Sequence, residues 1–268
     1  MSHPRQILDQ LGAQPLKRFS QNFLVSPHWI TKLGDATIMD PGFESVWEIG
    51  PGLGAMTRHL VANTKKPIHL FETDKKLAAF LRTEFPTITM HEGDVLKQDL
   101  SARLPTTGKV TVLSNLPYHI SSAILFELIA IQDRIHKLVL TFQRELGERL
   151  IALPESKAYS ALSVIAQLSF QIKSLGILPA GAFYPAPGVD SMACEFLPKP
   201  PKPYHGQMIR YTKAAFAQRR KKMLTNLRNA YPAIDWKAIL GELNISENSR
   251  AENLSVEDFI RLAERVHC

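Results

Sequence analysis

The amino-acid sequence predicts an α/β fold, in which helices cover both faces of a parallel sheet, followed by a small all-helical domain. Three observations support this prediction. Short apolar runs alternate with helical patterns over the first 140 residues, a proline-rich segment follows near residue 200, and most of the excess positive charge lies beyond it. The chain has 268 residues, 45% of them hydrophobic, so it is long enough for one large domain and one small one.

The large domain is predicted from five apolar runs that have the length and composition of buried strands. These runs are Ser45–Ile49, Pro67–Phe71, Thr87–Met90, Val110–Leu113 and Lys137–Phe142. The segments between them suit helices, notably Met56–Asn63, Lys75–Glu84 and Ser122–Ile131. Parallel sheets of this kind bind ligands at the carboxyl ends of their strands. We therefore expect the functional residues directly after these runs.

The domain boundary is predicted at the proline-rich segment, because four prolines between residues 198 and 203 cannot continue a helix or a central strand. We expect a large domain over residues 1–197, a linker over 198–206 and a helical domain over 207–268. Residues 1–197 contain 19 basic and 18 acidic side chains, whereas residues 198–268 contain 13 basic and 7 acidic ones. The second part therefore contributes +6 to the total net charge of +7.

A run of four cations, Arg219, Arg220, Lys221 and Lys222, lies inside the predicted helical domain. Apolar residues flank this run at the spacing of one or two helices, and further helices are predicted over Trp236–Leu243 and Ser255–Val266. The run is either a solvated helix face or a surface that contacts nucleic-acid phosphates. Charge alone leaves both interpretations open.

The composition argues against several classes of protein. The sequence has no apolar run of about 18 residues and no apolar core of a secretory signal near its start, so we expect no membrane partner. The two cysteines, Cys194 and Cys268, favour a reducing compartment over a disulfide, which leads us to expect a cytoplasmic protein. The nine histidines form no cluster with metal-ligand spacing, and we expect no metal site.

Two motifs after the first two predicted strands indicate a cofactor that contains adenosine. The loop Glu48–Ala55 joins the first strand to a helix, and its Gly50 and Gly52 let the main chain turn sharply against a ligand. Glu72 ends the second strand, where a carboxylate accepts hydrogen bonds from ribose hydroxyls. The loop also satisfies the relaxed dinucleotide-binding fingerprint, so these two motifs leave NAD as an alternative.

Two further motifs narrow the choice of cofactor. Asp94 follows the third strand, where its carboxylate can accept a hydrogen bond from an adenine amine. Asn115, Leu116, Pro117 and Tyr118 stand directly after the fourth strand. This polar-x-Pro-aromatic segment resembles the signature of S-adenosylmethionine-dependent methyltransferases that act on exocyclic amines.

The Asn115–Tyr118 segment has the groups that methyl transfer to adenine needs. An adenine amine is a poor nucleophile, because its lone pair is delocalised into the ring. The side-chain carbonyl of Asn115 and the main-chain carbonyl of Leu116 can accept hydrogen bonds from the two N–H groups of the amine, which favours a pyramidal nitrogen. Pro117 restricts the conformation of the loop. Tyr118 offers a ring face for the base, and such stacking is worth about 1–3 kcal/mol.

With these motifs in this order, the chain resembles the ribosomal RNA adenine dimethyltransferase family, and within it the small-subunit branch. The resemblance extends over nearly the whole chain. It is carried by residues 20–24, 48–57, 71–74, 93–94, 115–118, 143–150, 156–160, 162–164, 183–191, 215–221 and 250–255. Each segment is moderately specific by itself, and their common order and spacing are highly specific.

The resemblance implies a Rossmann-like S-adenosylmethionine-dependent methyltransferase domain with a small all-helical C-terminal domain. The implied cofactor-binding residues are Asn22, Leu24, Gly50, Gly52, Glu72, Asp94 and Asn115. The resemblance also implies that the Asn115–Tyr118 segment is catalytic and that Tyr118 and Phe183 sandwich a flipped adenine. The implied substrate is a pair of adjacent adenosines in the 3′-terminal hairpin loop of 16S rRNA, each dimethylated at N6 in an immature small (30S) ribosomal subunit. We expect the protein to act as a monomer, late in subunit biogenesis.

Three alternatives differ from this interpretation. A methyltransferase of the large-subunit branch would modify an adenine of the other ribosomal RNA. A ribosome-assembly factor would bind the small subunit and need no chemistry, which is compatible with an enzymatic role. A nicotinamide-dependent dehydrogenase would bind NAD in preference to S-adenosylmethionine.

Overall fold

The computed structural model describes residues 4–14, 21–200 and 202–267 of the chain. Within it the chain divides into two compact units, one formed by Met1–Gly147 with Lys173–Pro198, the other by Glu148–Ile172 with Lys199–Cys268. We call them the sheet unit and the helical unit. This division differs from the expected boundary at residue 197, because the segment 148–172 belongs to the helical unit.

The sheet unit is built on seven strands in the order β4-β3-β2-β5-β6-β9-β7, with a separate two-stranded pair of β1 and β8. The strands are β1 (Phe23–Leu24), β2 (Ser45–Ile49), β3 (Ile68–Glu72), β4 (Thr89–Glu92), β5 (Val110–Asn115), β6 (Ile135–Gln143), β7 (Phe170–Leu178), β8 (Phe183–Tyr184) and β9 (Ser191–Pro198). Strands β2 to β6 pair in parallel, and β9 runs antiparallel to β6. All five predicted strands are present.

The helices follow the predicted alternation with the strands. They are α1 (Pro4–Gln10), α2 (Pro27–Ile38), α3 (Ala55–Asn63), α4 (Lys75–Glu84), α5 (Ser121–Ala130), α6 (Arg144–Leu150), α7 (Ala161–Ser169), α8 (His205–Ala215), α9 (Met223–Ala230), α10 (Trp236–Glu242) and α11 (Val256–His267). Local chemistry explains where they begin. For example, the Asp74 carboxylate accepts hydrogen bonds from the first amides of α4, and its Leu77 and Leu81 are fully buried against the sheet unit's cores.

The helical unit has a hydrophobic core of its own, centred on the fully buried Trp236 and Phe259. Tyr159, Val164 and Leu168 belong to the same core. The hydroxyl of Tyr159, which is also fully buried, donates to the main-chain oxygen of Leu254 at 3.0 Å. These contacts are the reason why the segment 148–172 joins the helical unit although it precedes β9 in the sequence.

The proline-rich segment separates the last strand from the C-terminal helices, as expected. Strand β9 ends at Pro198 and α8 begins at His205, so regular structure is interrupted between them, while Pro201 is outside the described residues. Cys194 is buried and free, and Cys268 is outside the described residues. The cations 219–222 lie in a loop between α8 and α9, which corrects the interpretation as a helix face.

Candidate active site

The carboxyl ends of β2, β3 and β5 open onto one cavity of about 570 Å³, which we call the central cavity. The chain order of the strands reverses between β2 and β5, which is where open α/β sheets bind ligands. Ten residues singled out from the sequence line this cavity: Asn22, Leu24, Gly50, Gly52, Glu72, Asp94, Asn115, Leu116, Pro117 and Tyr118. The fold therefore brings these distant sequence positions together.

The glycine-rich loop between β2 and α3 needs glycine for two different reasons. Gly50 and Gly52 both have left-handed main-chain conformations, with φ of +69° and +58°. A Cβ atom on Gly52 would lie 2.9 Å from the ring of Phe23, so Gly52 is required for close packing. A Cβ atom on Gly50 would meet nothing within 4 Å. The main chain at Gly50 is therefore open to a ligand in the cavity.

The Glu72 carboxyl is the most buried acid of the central cavity, with 5% of the residue exposed. Its two oxygens accept hydrogen bonds from the amides of Gly52, at 3.2 Å, and Asp74, at 2.9 Å. Burial raises the pKa of Glu72 to about 7, although the main-chain hydrogen bonds oppose this shift. A ligand that donates hydroxyl hydrogen bonds to the carboxylate would favour its ionised form.

Asp94 is half-buried at the edge of the same cavity. Its Oδ1 accepts a hydrogen bond from the Leu96 amide at 3.0 Å and caps the short 3₁₀ turn Val95–Lys97. The turn therefore fixes the direction of the carboxylate. Within the described residues Oδ2 has no hydrogen-bond partner, so it is the atom that a ligand amine would reach.

The carboxamide of Asn115 is held at both ends by the sheet unit. Its Nδ2 donates to the main-chain oxygen of Asn22 at 2.8 Å, and its Oδ1 accepts from the hydroxyl of Thr141 at 2.6 Å. Leu116 next to it is 2% exposed and anchors the segment in the core. The side-chain oxygen expected to grip a substrate amine therefore has one of its two lone pairs already in use.

Tyr118 lies where two cavities meet. Its half-buried ring lines the central cavity and also a second one of about 750 Å³, the outer cavity, and Asn22 lines both as well. The Tyr118 hydroxyl shares a hydrogen bond of 2.7 Å with the hydroxyl of the buried Ser191. Burial raises the pKa of Tyr118 above its ordinary value, so the ring stays neutral. The geometry presents an uncharged, anchored aromatic ring to both cavities.

Phe183, which the resemblance places beside the flipped adenine, is buried in this structure. Only 4% of this residue is exposed, it belongs to the same hydrophobic core as Leu24, and it lines neither cavity. The neighbouring Tyr184 is half-buried and lines the outer cavity. Successive side chains of a strand point to opposite faces, so in β8 the phenylalanine faces the core and the tyrosine faces the cavity. Tyr184 is not among the residues predicted from the sequence, because alternation in a strand places two neighbouring aromatic residues on opposite faces without indicating which of them faces the core.

Glu48 is a further buried acid, which the sequence motif indicated only as the start of the glycine-rich loop. It is fully buried in β2, its Oε2 accepts from the Thr57 hydroxyl at 2.7 Å, and its Oε1 has no hydrogen-bond partner among the described residues. Burial is the main cause that raises the pKa of Glu48 to about 7, and the charge of Glu72 adds to it. Glu48 ties the sheet to α3, directly behind the glycine-rich loop.

In the helical unit, the four cations of the 219–222 loop fall into two classes. Arg219 donates to the Glu252 carboxylate and to the main-chain oxygen of Lys157, both at 2.8 Å, and Lys222 donates to Asn248 Oδ1 at 2.6 Å. Arg220 and Lys221 are exposed, and neither side chain has a partner in the described part of the chain. The sequence could not distinguish these two classes.

The described residues contain neither a metal-binding cluster nor a membrane-spanning helix. They contain no group of three or more histidine, cysteine, aspartate or glutamate side chains placed to hold a metal ion. None of their helices is long and apolar enough to cross a membrane.

Relatives with known names resemble this chain over nearly its full length. One is 40% identical over 96% of this chain and 98% of its own length, and is named ribosomal RNA small subunit methyltransferase A, from Syntrophotalea carbinolica. A protein of the same name from Chromobacterium violaceum is 36% identical, over 94% of this chain and 96% of its own length.

Solved structures support the fold. A dimethyladenosine transferase from Plasmodium falciparum superposes with a TM-score of 0.77 at 21% identity, covering 91% of this chain and 97% of that one. The 23S rRNA methyltransferase ErmE superposes with a TM-score of 0.69 at 22% identity, covering 92% and 100%. At this level of identity these likenesses concern the fold, and they confirm the Rossmann-like methyltransferase architecture.

The family itself is shown by a direct match. A model of the family described as ribosomal RNA adenine dimethylase matches residues 13–267. This match and the named relatives agree with the Asn115–Tyr118 segment and the cavity before it, and they exclude the dehydrogenase alternative. The chain therefore belongs to the ribosomal RNA adenine dimethylase family and is an S-adenosylmethionine-dependent methyltransferase.

Proposed function

We propose that this enzyme dimethylates N6 of two adjacent adenosines in the 3′-terminal hairpin loop of 16S rRNA, within the immature small (30S) subunit in the cytoplasm. It would act late in subunit biogenesis, as a monomer. The observation that carries the proposal is the Asn115–Tyr118 segment, which lines the central cavity together with Glu72 and Asp94 and whose Tyr118 also lines the outer cavity.

The central cavity has the groups that S-adenosylmethionine requires. The Glu72 carboxylate suits the ribose hydroxyls, the free oxygen of Asp94 suits the adenine amine, and the open main chain at Gly50 allows close approach. Asn22 and Leu24 form the adjoining wall, with Gly52 packed behind the loop. When bound, the cofactor supplies a methyl group that its sulfonium has already made electrophilic.

The protein's own task is to prepare the amine. Asn115 Oδ1 has a second lone pair, and the main-chain oxygen of Leu116 lies in the next residue of the same cavity wall. Together these two oxygens would accept hydrogen bonds from the two N–H groups of the amine and direct its lone pair away from the ring. The nitrogen becomes cationic after transfer and loses its proton readily, so no strong base is needed at Asn115.

The outer cavity suits the target nucleotide. Tyr118 and Tyr184 both line it, together with Pro185 and Pro187. A base taken out of its stack costs a few kcal/mol, and stacking on aromatic rings recovers about 1–3 kcal/mol per base. We assign Tyr118 and Tyr184 to this stacking, in place of the pair of Tyr118 and Phe183.

The exposed cations of the helical unit suit the RNA backbone. Arg220 and Lys221 are free to contact phosphates, whereas Arg219 and Lys222 are engaged with side chains and main chain of the same unit. The contribution of Arg220 and Lys221 to RNA binding would be sequence-independent and salt-dependent. Specificity for adenosine would then come from the cavities.

The choice of the small subunit is supported by the relatives of highest identity reported above, which are named for it, while ErmE, named for 23S rRNA, is 22% identical. The test is to incubate the protein and labelled S-adenosylmethionine with small and large subunits that lack dimethyladenosine. Mass spectrometry of RNA fragments then locates the label. We expect two adjacent dimethyladenosines in 16S rRNA, and label in 23S rRNA alone would overturn the proposal.

Asn115→Ala gives the matching test of the catalytic assignment. We expect its methylation rate to fall at least about 100-fold, because the acceptor for the amine is removed. Asn63→Ala, at an exposed position of α3 outside both cavities, is the control and should keep full activity. Normal activity of Asn115→Ala would defeat the assignment.

A further inference from the structure

Thr141 is a buried hydroxyl directly beside the proposed acceptor. It lies on β6 opposite Asn115 of β5 in the parallel pairing, and 1% of the residue is exposed. Its Oγ1 is 2.6 Å from Asn115 Oδ1. Most of the remaining β6 residues are apolar and buried, so Thr141 places a polar hydroxyl in a strand of the core.

The partners of Asn115 determine the direction of both hydrogen bonds. The main-chain oxygen of Asn22 can only accept, so the atom 2.8 Å from it must be the amide nitrogen of Asn115. The amide oxygen then faces Thr141, and the hydroxyl of Thr141 must be the donor. The reversed carboxamide would place oxygen against oxygen at Asn22. The two contacts together therefore select one of the two amide orientations.

We propose that Thr141 is a positioning residue, which holds the Asn115 carboxamide so that Oδ1 is presented to the substrate amine as an acceptor. This inference rests on the proposed function of Asn115. Thr141 lines neither cavity and acts only through its neighbour. A carboxamide that rotates would present its NH₂ group to the amine, donor against donor, and would leave the nitrogen lone pair delocalised.

The loss of one hydroxyl affects the rate of transfer because the acceptor works only in one orientation. With valine at position 141, a single hydrogen bond to Asn22 restrains the carboxamide, and the donor that fixes Oδ1 is gone. A misplacement of about 1 Å can cost about 100-fold in rate. We expect a fall of about 10- to 100-fold in the single-turnover methylation rate for Thr141→Val. Binding of S-adenosylhomocysteine should change less than twofold.

The chain offers a matched control for this substitution. Thr111 on β5 is also fully buried in the same sheet, but its hydroxyl has no hydrogen-bond partner among the described residues. Thr111→Val makes the same chemical change and should leave the methylation rate within twofold of wild type. Thr141→Ser keeps the donor and removes a methyl group, so it should recover most of the rate that Thr141→Val loses.

The experiment measures single-turnover methylation of small subunits by wild type and by these three variants, with S-adenosylhomocysteine binding and thermal unfolding measured in parallel. A rate for Thr141→Val within twofold of wild type would overturn the proposal. Equal losses in Thr141→Ser, or in Thr111→Val, would also overturn it, because packing would then explain the effect. If Asn115→Ala is inactive while Thr141→Val is normal, only this inference fails; if Asn115→Ala is normal, the proposed function of Asn115 fails.

Discussion

The sheet unit and the helical unit use charge in different ways. By residue content, the sheet unit has 17 basic and 16 acidic side chains, and the helical unit has 15 and 9, so their net charges are +1 and +6. In the sheet unit Glu72 and Asp94, two acids of the central cavity, are buried and half-buried, and main-chain amides fix their direction. In the helical unit, two cations of the 219–222 loop are exposed and unpartnered within the described residues.

This difference indicates a division of labour. A buried, hydrogen-bonded acid discriminates by direction and by its state of ionisation, so its effects depend on pH. An exposed cation attracts any phosphate, so its effects depend on salt. We therefore expect pH-sensitive cofactor binding from the sheet unit and salt-sensitive RNA binding from the helical unit.

The largest effect is expected for the pH dependence of cofactor binding through Glu72. Its pKa is about 7 in the free protein, and ribose hydroxyls favour the carboxylate, so affinity should fall as the pH drops below 7. The fall approaches tenfold per pH unit well below that pKa. Calorimetric titration with S-adenosylhomocysteine between pH 5 and 8 measures it.

Glu72→Gln is the reference for this titration, because the amine of the ligand also changes its charge near pH 8. The variant should bind more weakly at pH 8 and lose the dependence below pH 7. If the affinity of Glu72→Gln depended on pH below 7 as that of wild type does, Glu72 would not be the source of the pH-sensitive cofactor binding.

The next effect concerns the outer cavity of the sheet unit. Tyr184→Ala should lower kcat/KM for the RNA substrate about tenfold, because a stacking surface is lost, while Tyr184→Phe keeps the ring and stays near wild type. Phe183→Leu should mainly reduce thermal stability, since Phe183 lies in the core. Steady-state kinetics and thermal unfolding separate the two. A large kinetic effect of Phe183→Leu, with none for Tyr184→Ala, would restore Phe183 as the stacking residue.

A smaller effect is expected in the helical unit. Replacing Arg220 and Lys221 together by alanine should weaken subunit binding several-fold and reduce the slope of log K against log salt by about 2, one for each lost phosphate contact. The variant Lys237→Ala removes an exposed cation that pairs with Glu247 and serves as the control. Binding is measured by filter retention over a range of salt concentrations. A slope equal to that of wild type would return the two cations to the role of a solvated surface.

The smallest effect concerns the stability of the sheet unit. Folding raises the pKa of Glu48 from an ordinary value of 4.5 to about 7, so Glu48 makes the protein less stable as the pH rises through this range. From pH 6 to pH 8, Glu48→Gln should gain about 1 kcal/mol of unfolding free energy relative to wild type. Denaturant unfolding at both pH values measures it, and Glu127→Gln, at an exposed site on α5, is the control. Equal shifts in the two variants would contradict the burial argument.

Much of the fold and of the central cavity could be predicted from the sequence. The apolar runs located all five parallel strands. For β2, β3, β5 and β6 the reason is that buried strands need a nearly continuous apolar sequence, whereas β4 lies at the edge of the sheet and is largely exposed. The motifs after them located the cavity residues, because the carboxyl ends of parallel strands lie at one edge of a sheet. Helix α11 is another example, since Ser255 and Asp258 hydrogen-bond to each other's amides at its start, as their spacing indicates.

The remaining features depend on contacts between residues far apart in the sequence. Local pattern does not indicate that Tyr159 packs with Trp236, or that Phe183 faces the core and Tyr184 the cavity. Nor does it separate Arg219, bound to Glu252, from the free Arg220. In each case the role of a side chain follows from the residues that lie next to it in the folded chain.

The sequence by itself determined the class of fold, the family and the residues of the central cavity, because periodicity and motif spacing are local properties of the chain. The tertiary structure decided which donor holds Asn115, which aromatic residue of β8 reaches the outer cavity, and which cations remain free. These are set by partners brought close only in the folded chain. Burial, hydrogen-bond direction and ionisation all depend on those partners.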